Sequence, residues 1–112
     1  MNAVRNFTHV VDMVEAYYLA LNLGIPGELY LIGSDLVFSM KQILERLIKL
    51  SKNSKIKYKI TKKRVRPTEL NYLIGDIKKF KKLTKWNYKK NMDDILLDTL
   101  NYWRDFIKDK NY

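Results

Sequence analysis

No helix can pass Gly24 and Pro26, which stand two residues apart. Glycine readily adopts the left-handed conformation that closes a helix, and proline has no backbone N–H and clashes with the turn before it. A helix that begins near residue 9 must therefore end there. Within that window Val11, Val14, Tyr18 and Leu21 fall three and four residues apart, which predicts a helix over 9–23 with these side chains on its buried face. Asp12 sits in the first turn, where the free amide groups favour a negative charge.

The rest of the chain divides at similar signals. Glu28-Leu29-Tyr30-Leu31-Ile32 is rich in strand formers and runs into the turn-prone Gly33-Ser34-Asp35, so it reads as a buried strand. Ser39 with Gln42 three residues later resembles a reciprocal capping box. It precedes Met40, Ile43, Leu44, Leu47 and Ile48, a helix over about 40–51. From Lys55 to Thr61 apolar Ile56, Tyr58 and Ile60 alternate with lysines, the pattern of a strand with one wet face. Asp76 is placed to cap a short helix carrying Ile77, Phe80 and Leu83, and Asn91 a final one with a stripe of Leu96, Leu100, Trp103 and Ile107. Trp86 and Trp103 both read as core.

Composition narrows the classes of function. With 112 residues and 46% hydrophobic content the chain fills one core and no more. It has no cysteine and a single histidine, His9, which removes thiolate chemistry and any histidine-rich metal site. No apolar run reaches the roughly 20 residues of a membrane span, and the expectation is a soluble, cytoplasmic protein. The formal charge of +10 raises the question of nucleic acid. Only Arg5, Arg46, Arg64, Arg66 and Arg104 among the 22 basic residues are arginine, however, whereas two-pronged recognition of bases and phosphates favours that residue. The lysines at 78, 79, 81, 82, 85, 89 and 90 surround a helix with its own apolar face, the pattern of a solvated helix.

The chemical signal that stands out is Arg66-Pro67-Thr68-Glu69 taken with Arg5. Proline restrains the arginine before it to extended backbone. A guanidinium grips phosphate oxygens through two parallel hydrogen bonds, and a carboxylate accepts from both hydroxyls of a diol. A nucleoside diphosphate offers both groups. A solvated loop with a capping glutamate has the same spacing, so the motif alone leaves both readings open.

The order of blocks along the chain decides between them. R-N-F-T-H-V-V-D-M-V-E-A-Y at 5–17 is followed by G-E-L-Y-L-I-G-S at 27–34, S-M-K-Q-I-L at 39–44, R-P-T-E at 66–69, G-D-I-K-K-F at 75–80 and L-T-K-W at 83–86. This series resembles the C-terminal portion of extended short-chain dehydrogenase/reductases acting on nucleotide sugars, above all the GDP-mannose 4,6-dehydratase family. The resemblance implies an α/β fold, a small substrate-binding domain over 1–112 that is mainly helices with a few short strands and lacks the Rossmann dinucleotide-binding core. It implies that Arg5 and Arg66 reach the substrate diphosphate, that Glu69 holds the nucleotide ribose, and that Asp12 is structural. Three positions depart from the family pattern: Asn6 replaces aspartate, Leu31 an asparagine, and Lys85 a glycine before tryptophan.

By resemblance the whole enzyme uses NADP to convert GDP-mannose to GDP-4-keto-6-deoxymannose. This chain alone is expected to bind no dinucleotide, because glycines at 24, 27, 33 and 75 make no glycine-rich strand-to-helix turn. No catalytic residue is assigned to it. Tyr58 and Lys62 have the spacing of a catalytic Tyr/Lys pair, but in an alternating segment residues four apart lie about 13 Å from each other. His9 is read as a structural or capping residue. The expected partner is GDP-mannose or a related nucleotide sugar, with a basic RNA- or polyanion-binding module and a portion of a nucleotide-sugar epimerase or reductase as the alternatives. The segment 5–23 is expected to leave an apolar face uncovered, through which the isolated chain self-associates.

Overall fold

A computed structural model describes residues 2–53, 55–61 and 70–110. Four helices and a small sheet follow one another as β1 (Val4–Asn6), α1 (Val10–Leu23), β2 (Val37–Ser39), α2 (Met40–Ser51), β3 (Tyr72–Leu73), α3 (Lys78–Thr84) and α4 (Met92–Asp109). The sheet order is β2-β1-β3, with β1 antiparallel to β2 and parallel to β3. Arg5 faces Phe38 on one neighbour and Leu73 on the other.

Local signals placed the starts of α2 and α4, and α1 does end at Gly24, but there the glycine is extended at φ −64° and not left-handed as expected, its N–H bonding to Ala20 O. Ser39 Oγ accepts from Gln42 N at 3.2 Å while Gln42 Oε1 accepts from Ser39 N at 2.8 Å, the expected capping box. Asn91 and Asp94 make a second one at the start of α4. Asp76 accepts from Lys78 N at 3.0 Å, but it stands one residue before the N-cap of α3, which is Ile77 and has no side-chain cap, so the short helix starts one residue later than expected. His9 caps α1, its Nδ1 accepting from Val11 N at 3.1 Å.

Two strand expectations fail. Residues 28–32 join no strand ladder among the described residues; Leu29 and Leu31 are exposed, while Tyr30 and Ile32 pack on the core. Strand propensity needs a neighbouring strand to satisfy it; the pairing goes instead to 37–39. The alternating segment 55–61 likewise forms no strand, and Ile56, Tyr58 and Ile60 are exposed.

The core forms two small clusters. One packs Ala16 of α1 against Phe80 of α3 and Trp86, with the Phe80 and Trp86 rings edge to face at 5.9 Å. The other packs Ile43 of α2 against Met92 and Leu96 of α4. The buried side of α1 is thus the side of Asp12 and Ala16, not the predicted stripe. Val11, Val14, Tyr18 and Leu21 face outward, Leu21 at 84% exposure. Spacing identified an apolar face but could not say what covers it. Trp86 is core as expected; Trp103, at 52% exposure, is not.

Candidate functional site

Of the three residues singled out for ligand binding, the described structure contains Arg5; Arg66 and Glu69 lie outside it. Arg5 is the middle residue of β1. Its guanidinium donates from Nη1 to Val4 O at 2.7 Å and from Nη2 to Leu70 O at 2.8 Å. Leu70 immediately follows the Arg66-Pro67-Thr68-Glu69 segment in the chain. Val4 N donates to Asn71 O at 2.8 Å, and β3 then continues beside β1. A guanidinium has five N–H donors, so two bonds to carbonyls leave three for a ligand.

The other side of β1 is held by the Gly33-Ser34 turn. Buried Ser34 donates through Oγ to Phe7 O, its N–H reaches Thr8 Oγ1 at 2.9 Å, and Leu36 N donates to Ser34 Oγ at 3.1 Å. Asn6 Nδ2 donates to Ser34 O at 3.1 Å. An aspartate, the usual residue there by resemblance, has no donor when ionised, so the asparagine adds a bond between β1 and this turn. A methyl group on Gly33 would meet Asn6 Nδ2 at 3.0 Å, which suits glycine at that position.

Two buried polar side chains tie the start of α1 to α4 and to the segment before it. Asp12, 1% exposed, accepts from Lys90 N at 3.0 Å, which agrees with its reading as structural. His9 connects to α4 through Asp98. No signal short of the fold marks Lys90 or Asp98 as their partners.

The basic charge is partly neutralised within the molecule. Lys79 pairs with Glu28, Lys81 with Asp35 at 3.8 Å, and Lys89 with Glu15 at 2.9 Å. Lys79 beside it, through a hydrogen bond and its charge, holds the Glu28 carboxyl below its usual range. A groove between α2 and α4 gathers Arg46, Lys49 and Lys52 with Asp93, Arg46 stacking over Phe38 and donating to Asp93 at 2.9 Å. The cations lie toward the C-terminal end of α2, where exposed carbonyls disfavour an added anion.

The described residues hold no glycine-rich strand-to-helix turn. The one strand here that passes directly into a helix is β2, and the junction is Ser39-Met40, without glycine. Gly24 follows α1, Gly27 lies in the turn after it at φ 83°, and Gly75 precedes α3. Among the described residues no three or more His, Asp or Glu gather as a metal site would, and no helix is long and apolar enough to cross a membrane.

Known proteins resemble this chain over nearly its whole length. The family model described as GDP-mannose 4,6 dehydratase matches residues 1–99. A GDP-mannose 4,6 dehydratase of Dictyostelium discoideum is 28% identical over an alignment covering 96% of this chain and 35% of that protein. Among solved structures, RMD from Pseudomonas aeruginosa complexed with NADPH superposes with a TM-score of 0.80 at 21% identity, over 93% of this chain and 34% of that one. UDP-glucuronic acid 4-epimerase from Bacillus cereus in complex with NAD gives 0.78 at 25% identity, over 96% and 32%. The chain therefore spans about a third of the length of these relatives.

Proposed function

The chain belongs to the GDP-mannose 4,6-dehydratase family, and from that membership we propose that it is the family's nucleotide-sugar-binding portion, gripping a GDP-sugar through Arg5, Arg66 and Glu69. Arg5 and Arg66 take the diphosphate, where planar guanidinium forks match paired phosphate oxygens. Glu69 accepts from the ribose hydroxyls. The observation that carries this reading is the Arg5 Nη2 to Leu70 O hydrogen bond at 2.8 Å. It ties β1 to the residue that follows Glu69 in the chain, which supports a shared site for Arg5 and a motif more than 60 positions away in sequence.

In this reading the chain binds and orients substrate and carries no catalytic residue. NADP, and the oxidation at C4, elimination and hydride return that it supports in the whole enzyme, belong to the remainder of a protein about three times longer. The outward stripe of α1 is the face on which that remainder packs. GDP-mannose is preferred because the matching family and the Dictyostelium relative carry that substrate in their names; a UDP-sugar is the alternative.

Calorimetric titration with GDP-mannose, GDP, UDP, ADP and a short RNA, at two salt concentrations and with Arg66→Ala, tests the proposal. Selective binding of the GDP ligands that weakens at least about tenfold in the variant is expected. Binding of RNA alone, falling steeply with salt and indifferent to Arg66→Ala, overturns it in favour of a polyanion-binding module.

A further inference from the structure

Three consecutive residues that follow Arg5 in the chain are held by one serine. Ser34 is 1% exposed, and every polar atom it has is engaged. Its hydroxyl donates to Phe7 O and accepts from Leu36 N at 3.1 Å. Its N–H donates to Thr8 Oγ1 at 2.9 Å, and its carbonyl accepts from Asn6 Nδ2 at 3.1 Å. The strand fixed in this way has little else to set its register, because β1 and β2 are three residues long and β3 only two. A strand that slips by one residue turns every side chain to the opposite face. In β1 such a slip sets Val4 or Asn6 in the place of Arg5 between Phe38 and Leu73, and the guanidinium loses its reach to Leu70 O. Neighbours in a strand point to opposite faces, so the Asn6 bond to Ser34 lies on the side away from Arg5.

We propose that Ser34 is a positioning residue for nucleotide-sugar binding that acts through Arg5: it pins the register of β1 and so decides which face of the sheet presents the guanidinium. This rests on the reading of Arg5 as a ligand of the diphosphate. Ser34 makes no contact with the bound nucleotide in this role. It keeps the binding-competent register populated, and apparent affinity falls with the competent fraction of molecules. Asn6 completes the clamp from the strand side. Its amide donates to the Ser34 carbonyl, where an ionised aspartate has no hydrogen to donate and sets its own oxygens against that carbonyl.

Two measurements on the 112-residue chain test the role. Amide hydrogen exchange without ligand follows Val4 N, which donates to Asn71 O at 2.8 Å on the β3 side of β1. Ser34→Ala is expected to speed that exchange at least about tenfold. Asn6→Asp, which removes one bond and leaves the serine intact, is expected to speed it at least about threefold. Calorimetric titration with GDP then reads the consequence for binding. Ser34→Ala and Asn6→Asp are each expected to weaken GDP at least about threefold, and Arg5→Ala at least about tenfold. Ser34→Ala added to Arg5→Ala is expected to change nothing more, because both act through one side chain. A Val4 amide that keeps the wild-type rate in both clamp variants overturns the proposal. So does a GDP affinity unchanged by the clamp variants, or one that Ser34→Ala lowers by the same factor with and without Arg5, which is what a serine that only stabilises the fold would give. Those outcomes sink the positioning role alone, whereas an unsubstituted chain that binds no GDP overturns the reading of Arg5 and the positioning role with it.

Discussion

His9 Nε2 lies 3.1 Å from Asp98 Oδ2, so one imidazole joins the first turn of α1 to the middle of α4. Because Nδ1 accepts from Val11 N, the ring proton sits on Nε2 and is donated to the carboxylate. The two bonds differ in weight. Loss of an N-cap acceptor costs about 1 kcal/mol, and a pair whose acid is 53% exposed contributes less than that. Urea denaturation should therefore show His9→Ala destabilised by about 1–2 kcal/mol and Asp98→Ala by less than about 1 kcal/mol. Equal losses in the two variants would show that the Asp98 contact, not the cap, dominates.

Asp12 is the more expensive residue to remove. It is buried, and its carboxylate holds the Lys90 amide. Asp12→Ala leaves that N–H without its partner and opens a space beside the Ala16 cluster. A loss of about 2–3 kcal/mol is expected, read from the shift in urea midpoint. A change under about 0.5 kcal/mol would mean that solvent satisfies Lys90 equally well.

Lys85 occupies a left-handed conformation, φ 58°, at the end of α3, and Lys52 one of φ 57° at the end of α2. Side chains disfavour this region and glycine does not. Lys85→Gly and Lys52→Gly should each raise stability by about 0.5 kcal/mol, whereas Gly27→Ala, at φ 83°, should lower it by about 1 kcal/mol. Thermal denaturation of the three variants separates these signs.

Tyr88 supplies a pH dependence on the alkaline side. Its hydroxyl donates to Asp35, and that hydrogen bond, with burial and the negative charge adding to it, raises the phenol above its ordinary value of 10.0. The protonated phenol is the form the fold prefers. Its contribution is thus complete below the unfolded value and is lost as pH rises through the higher folded one. Tyr88→Phe should remove that part of the decline in melting temperature above about pH 10 and leave the acid limb unchanged. An identical alkaline decline in the variant would assign it to other groups.

Much of the helical framework could be read from the residues in order. Ser39 with Gln42, Asn91 as a cap, and Gly24 with Pro26 are local devices, satisfied by groups within a few positions along the chain, so the helix ends followed from them. Block order also set Arg5 beside the segment ending at Glu69; that segment lies outside the described residues, and Arg5 donates to Leu70 O just after it.

Side-chain spacing identifies which residues share a face, but burial depends on what else reaches that face. Val11, Val14, Tyr18 and Leu21 do share one, yet α3 and Trp86 pack on the opposite side, against Ala16. Residues 28–32 and 55–61 have strand composition, but a strand exists only where a neighbour supplies the other half of its hydrogen bonds, and β1 takes 37–39 and 72–73 instead. Trp103 fits the stripe that begins at Leu96 and is nevertheless exposed, because α2 stops at Ser51. Caps and breakers act through bonds a few residues long and so belong to the amino-acid order. Coverage and strand pairing depend on distant segments meeting, and they arose here from the packing of α1 on α3 and of α2 on α4.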